Sequence, residues 1–114
     1  MSCILRISSF TFDKPSSNAL KPYRVENGTE HFHVSDAESD NFKAQIDDAI
    51  VFLEKHGVDI QRLTTAPDVT GVLDFAVENR DVWMQCERFP ARLVRAAGSL
   101  GLALELSYYP ASSN

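Results

Sequence analysis

The stretch from residue 29 to residue 55 reads TEHFHVSDAESDNFKAQIDDAIVFLEK and contains a change of periodicity that decides the fold class. Alternation over residues 29–34 predicts a strand, because successive strand side chains point to opposite faces. Over residues 40–55 the apolar residues recur at helical spacing, which predicts a helix with one buried stripe. The residues of that stripe are Phe42, Ile46, Ala49, Ile50 and Leu53.

Local signals predict where this helix begins and ends. Ser35 and Glu38 form a capping-box pattern, in which a serine oxygen and a glutamate three residues later bond free backbone amides, and Ser39 is the competing cap. Gly57 predicts the end of the helix, because glycine readily adopts the left-handed conformation that closes many helices. One further turn is expected over residues 59–65.

Alternating segments on both sides of the helix predict further strands. Residues 3–9 predict an N-terminal strand. Residues 71–78 and 81–88 alternate across a short link, which predicts an antiparallel hairpin. Pro90 is expected to start a short helix, and residues 102–108 form the last predicted strand.

Shorter signals add detail before the long helix. A helical turn is expected over residues 15–20, because Pro15 suits a first helical position. Asn27-Gly28 predicts a turn.

From residue 29 the predicted order is strand, helix, strand, strand, helix, strand, which is the split βαβ pattern of ferredoxin-like folds. The predicted fold is therefore α+β, with an antiparallel sheet, an additional N-terminal strand and helices on one face. A chain of 114 residues without a linker or repeat is expected to form one domain over residues 1–114.

Charge and hydropathy limit the classes of partner. The formal charge is −5, whereas nucleic-acid binding usually requires a basic patch. No segment approaches the roughly 20 apolar residues that span a bilayer, and the start of the chain lacks the pattern of an export signal. We therefore expect a cytoplasmic protein that binds neither nucleic acid nor a membrane.

Sequence motifs give little support to catalysis. Cys3 and Cys86 lie in apolar runs, so both are expected to be buried, reduced and slow to react. The sequence has no nucleophile elbow, phosphate-binding loop or glycine-rich dinucleotide fingerprint, so no cofactor is expected. These observations favour a protein that is not an enzyme.

His31 and His33 form the pattern closest to a metal site. Alternate residues on a strand face the same way, so the two imidazoles can approach one ion, with Asp36 and Glu38 close behind. Zinc usually takes three or four protein ligands, and a pair of solvated histidines is the competing interpretation. A metal- or small-ligand-binding enzyme that uses this strand is the alternative function.

The sheet face opposite the helices is the predicted binding surface. Five residues share that face if all predicted strands form: Asp74, Trp83, Gln85, Glu87 and Glu105. His31 and His33 are candidates to join them. Folding alone does not require a tryptophan there, and aromatic side chains anchor many protein contacts. The competing interpretation is a solvated face on which a loop or a second copy covers Trp83, which leaves homo-oligomerisation open.

Three segments resemble a bacterial protein family. They are NRDVWMQCERFP at residues 79–90, LGLALELSYYP at residues 100–110, and VSDA at residues 34–37 with the acidic helix that follows. They are similar to small bacterial proteins catalogued only as a domain of unknown function. The resemblance implies a small α+β fold and no particular activity. Many bacterial domains of this size are immunity proteins, which neutralise toxins by binding them, and that analogy is one of fold and size.

These expectations combine into a non-enzymatic protein-binding domain, with an immunity protein as the candidate class. Its acidic and aromatic sheet face would attract a basic partner, such as a toxin domain.

Overall fold

The structure, a computed structural model, describes residues 2–9 and 20–110. Five strands and two helices form within these residues. In chain order they are β1 (Cys3–Ser9), β2 (Arg24–Glu26), β3 (Thr29–Ser35), α1 (Phe42–Thr64), β4 (Val69–Asn79), α2 (Ala91–Ser99) and β5 (Leu102–Pro110). The predicted α+β class is confirmed. The helical turn expected over residues 15–20 falls largely outside the described residues.

A single mixed sheet has the strand order β2-β3-β1-β4-β5. The central strand β1 pairs antiparallel with both β3 and β4, and β4 pairs parallel with β5. Because β3 and β4 both run opposite to β1, they are parallel to each other, and α1 joins them across β1. The predicted turn at Asn27-Gly28 joins β2 to β3, with positive φ at both residues, as short hairpins favour.

The predicted ferredoxin-like order is not confirmed, because the strand expected over residues 81–88 does not form. The reason lies in β4, which pairs with β1 on one edge and with β5 on the other. A hairpin partner after Asn79 therefore has no free edge of β4 to pair with. The sheet is mixed rather than antiparallel, since α2 carries the chain from β4 to a parallel neighbour.

Helix α1 differs from the prediction at both ends. Asn41 is the N-cap, since its side-chain oxygen accepts a hydrogen bond from the Ala44 amide at 3.1 Å. Ser35 instead ends β3 and donates to the Asp48 carboxylate at 2.6 Å, so the predicted capping box is wrong. Gly57 does not end the helix, which continues to Thr64. Burial of Ile60 and Leu63, which follow Gly57 in the helix, outweighs the low helix propensity of glycine.

One core joins both helices to the same face of the sheet, as predicted. The side chains of Cys3, Leu5 and Ile7 are fully buried on that face of β1. The helix residues of this core are Ile46, Ala49, Ile50, Leu53, Ile60, Leu63, Leu93 and Ala97. Between the helices, the Arg92 Nη2 and Glu54 Oε2 atoms form a 2.8 Å salt bridge. Neither helix of the described chain has the length and apolarity required to cross a membrane.

We expect Leu53→Ala to lower the free energy of unfolding by about 2–5 kcal/mol, because it removes a buried leucine side chain and leaves a cavity in the core. Val51→Ala, on the exposed side of the same helix, is the matched control and should change stability by no more than roughly 0.5 kcal/mol. Urea titrations followed by circular dichroism measure both. Equal losses in the two variants would contradict this assignment of the helix faces.

Candidate functional site

The five predicted binding residues fall into two groups. Asp74 on β4 and Glu105 on β5 are direct partners in the sheet register and lie on the face opposite the helices. Trp83, Gln85 and Glu87 lie between β4 and α2, in residues 80–90, where no strand forms. The prediction that all five share one sheet face is therefore wrong for these three, because it depended on the missing strand.

We call the sheet face opposite the helices the open face. Its central residues are Ile4, Arg6, Ser8, His31, His33, Asp74, Ala76, Glu105, Ser107 and Tyr109, as the strand registers require. His31 and His33 thus lie on the same face as Asp74 and Glu105, as the sequence suggested.

Arg6 links the two carboxylates of the open face. Its Nη1 lies 2.6 Å from Asp74 Oδ2, and its Nη2 lies 2.6 Å from Glu105 Oε2. Ser107 Oγ donates to the second oxygen of Asp74 at 2.7 Å. Partial burial acts to lower the pKa of Arg6, but the bonds to Glu105 and Asp74 outweigh it and raise that pKa. Two carboxylates share one guanidinium, which leaves one negative charge in excess.

The two histidines have different neighbours. His33 Nε2 lies 2.8 Å from Asp36 Oδ1. His31 packs beside the ring of Tyr23, at 6.1 Å between ring centroids, and lies opposite Arg24 in the sheet register. Partial burial and then the positive charges of Arg24 and Arg6 lower the pKa of His31. Among residues 2–9 and 20–110, no three His, Cys, Asp or Glu side chains are grouped so as to hold a metal ion.

Residues 80–90 are fixed to the body of the protein although they form no strand. Gln85 Nε2 donates to the Glu78 carbonyl at 2.9 Å and to Glu87 Oε2 at 2.8 Å, and Gln85 Oε1 accepts from the Arg80 amide at 2.9 Å. Further along, the Phe89 ring packs against Phe75 in the core, at 5.2 Å between centroids. The segment is therefore held at its start, its middle and its end.

Three consecutive apolar residues of this segment point outward. Trp83 is 95 % exposed, and its neighbours Val82 and Met84 are also exposed. We call residues 82–84 the tip. Sequence reasoning missed Val82 and Met84, because strand parity assigned them to the core. On a protein surface, a contiguous group of exposed apolar side chains marks an interaction site more often than an isolated exposed apolar residue does.

Carboxylates cluster at the end of the sheet from which the tip projects. The segments after β3 and β4 leave the same end, because these strands are parallel, and the Glu78 amide donates to the Ser39 carbonyl at 3.1 Å. The acidic residues of these segments and of the C-terminal end of β4 are Asp36, Glu38, Asp40, Glu78, Asp81 and Glu87. We call this group the acidic end. Arg80 and Arg88 are its basic neighbours, so negative charge predominates.

The two cysteines also differ from each other. Cys3 is buried, as predicted, and burial followed by the charges of Asp74 and Asp48 raises the pKa of its thiol. Cys86 is exposed, so its predicted burial is wrong. The reason is again the missing strand, whose apolar side would have faced the core. Both cysteines are free thiols.

No family model, no curated protein and no solved structure matches this chain. The resemblance to small bacterial proteins of unknown function therefore stays a prediction.

We expect one thiol per chain to react rapidly with a thiol reagent in the native protein, and two after unfolding. Cys86 is the exposed one, whereas Cys3 is enclosed in the core with a raised pKa. Mass spectrometry of the labelled native protein identifies the site, and Cys86→Ser is the control that should remain unlabelled until denaturant is added. Native labelling of Cys3 would show that β1 is less well enclosed than its contacts indicate.

We expect Arg24→Gln to raise the pKa of His31. The positive charge of Arg24 disfavours the protonated imidazole, so its removal makes protonation easier. Histidine NMR signals followed against pH give the value directly. Lys43→Gln, on the exposed surface of α1, is the charge-matched control and should leave the His31 pKa unchanged. A pKa that does not respond to Arg24→Gln would place Arg24 too far from the ring to act on it.

Proposed function

We propose that this chain is a cytoplasmic, non-enzymatic protein-binding domain that uses the tip as its anchor against a basic partner. An immunity protein that neutralises a toxin domain is the class that this description fits best. The observation that carries the proposal is the 95 % exposure of Trp83 on a segment fixed by hydrogen bonds.

The exposure of Trp83 supports binding because folding gains little from this side chain. A tryptophan buries a large apolar area when a partner covers it, and such anchors dominate the energetics of many interfaces. Val82 and Met84 extend the apolar area on both sides of it. Together the three residues offer a compact apolar centre, which is the usual arrangement at the middle of an interface.

The fixed backbone of residues 80–90 supports the same proposal. A loop that is ordered before binding loses less conformational entropy when the partner arrives. Gln85 uses its whole amide group to hold the segment, with bonds to Arg80, Glu78 and Glu87. Hydrogen bonds thus hold the chain on both sides of the tip.

The acidic end supports the choice of a basic partner. Carboxylates around an apolar anchor steer an oppositely charged protein and raise its association rate at low ionic strength. The formal charge of −5 acts in the same direction over longer distances. Many proteins that act on nucleic acids are basic, and a toxin domain of that type is one such partner.

The enzyme alternative gains less support. Catalytic side chains usually lie together in a concave site, and their pKa values are strongly shifted there. His31 and His33 lie on an open sheet face, and among the described residues no larger group of metal-binding side chains surrounds them.

We expect Trp83→Ala to weaken binding of the partner by about 30-fold or more, which corresponds to the loss of about 2 kcal/mol typical of a central anchor. The partner is captured from cells that produce the protein, identified by mass spectrometry and then titrated as a purified protein. Val58→Ala is the matched control, because Val58 is also a large exposed apolar residue (68 % exposed) but lies on α1. It should leave affinity unchanged.

Both variants should unfold at the wild-type temperature, since neither side chain belongs to the core. A sharp fall in the melting temperature of Trp83→Ala would make the residue structural. Equal affinity of wild type and Trp83→Ala would remove the tip from the interface, and failure to capture any partner would favour the enzyme alternative.

A further inference from the structure

Three shallow depressions join the open face to the tip segment. The first lies on the open face, contains about 180 Å³ and is lined by Ser2, Ile4, Ala76 and the tyrosines Tyr23 and Tyr109. The second shares Ser2, Ala76 and Tyr109 with the first and continues past Asp36 and Glu38 to Ser39. The third shares Ser39 and reaches Asp40, Glu78, Arg80, Gln85 and Glu87. We call the three together the acidic trough, and the first of them the tyrosine groove.

The tyrosine groove combines two aromatic walls with a carboxylate. Tyr23 precedes β2 at one side of the sheet and Tyr109 lies on β5 at the other, and each is about half exposed. Ser2 and Ala76 are the small side chains of the groove's lining, and Ile4 is its aliphatic side chain. Asp74 lines the same groove, and its two oxygens retain lone pairs beyond the bonds to Arg6 and Ser107.

This arrangement favours a guanidinium group. A cation is attracted to the faces of tyrosine rings, and the planar guanidinium also stacks on them and donates several hydrogen bonds to a carboxylate. Among the residues that the structure describes, Asp74 is the one charged side chain that lines the groove, and the group it forms with Glu105 and Arg6 has a net formal charge of −1. The rest of the trough adds Asp36, Glu38 and Asp40, so a basic chain that leaves the groove meets further opposite charge.

We propose that the tyrosine groove binds an arginine side chain of the protein partner, whose basic chain then follows the acidic trough toward the tip. The existence of that partner rests on the proposed function, but the groove is testable without it. The inference adds a second contact, on the open face, to the anchor at Trp83.

The probe is acetyl-arginine amide, titrated into the ¹⁵N-labelled full chain and followed by NMR. We expect saturable shifts at Ile4, Ala76 and Tyr109, with weak affinity. Acetyl-citrulline amide has nearly the same shape without the charge and should cause no saturable shifts there. Equal shifts with both probes, or saturable shifts only elsewhere, would overturn the proposal.

Two adjacent tyrosines supply a matched pair of variants. Tyr109 and Tyr108 are 52 % and 50 % exposed, but they point to opposite faces of β5, and only Tyr109 lines the groove. Tyr109→Ala should weaken acetyl-arginine amide roughly two- to fivefold, the range expected for one exposed cation–π contact. Tyr108→Ala should not. The same loss in both variants, or none in Tyr109→Ala, contradicts the proposed site.

A longer probe distinguishes a protein chain from a small guanidinium compound. A heptapeptide with arginine first and lysines after it should bind about tenfold more tightly than acetyl-arginine amide, since the carboxylates of the trough add to its binding. Equal affinities would restrict the groove to a small ligand and overturn the partner assignment.

Trp83→Ala should still bind acetyl-arginine amide as wild type does. Failure of the tip and failure of the groove are therefore separate results.

Discussion

Strand β4 pairs along both of its edges, and this double pairing determines the rest of the surface. With β1 on one side and β5 on the other, the chain that leaves Asn79 cannot turn back into the sheet. It must cross the end of the sheet before α2 begins, and it does so with its backbone held by the Gln85 side chain. Sheet topology thus keeps residues 81–88 out of the sheet, and Trp83 lies there 95 % exposed.

Local patterns in the sequence predicted most elements because they report which side of an element is buried. The apolar stripe of α1 and the alternation of β1, β3 and β5 all correspond to observed faces. The same patterns do not predict which strands pair, because alternation indicates the buried face of a strand and carries no information about its neighbour in the sheet. The sequence does not predict β2, because a run of three residues is too short for alternation to indicate a strand.

The segment 81–88 shows how alternation can mislead. Its polar residues Gln85 and Glu87 turn inward to bond the backbone and each other, while Val82 and Met84 turn outward. Alternating polarity in this segment therefore does not correspond to alternating burial, because Val82, Trp83 and Met84 are exposed in succession. One warning was present in the sequence: the Asn79-Arg80 link lacks the glycine that two-residue hairpin turns favour. The salt bridges of Arg6 to Asp74 and Glu105 could not be predicted from local sequence either, because these partners lie 68 and 99 positions away along the chain.

The location of Trp83 also has an optical consequence. The chain contains one tryptophan, and it lies outside the core, almost fully in water. Its fluorescence in the native protein therefore resembles that of an unfolded chain, and denaturation changes its surroundings little. The same property makes its emission a selective reporter of anything that covers the tip. Unfolding of this protein is better followed by circular dichroism of the backbone or by the tyrosine signals. Tryptophan emission then reports whether a partner covers the tip.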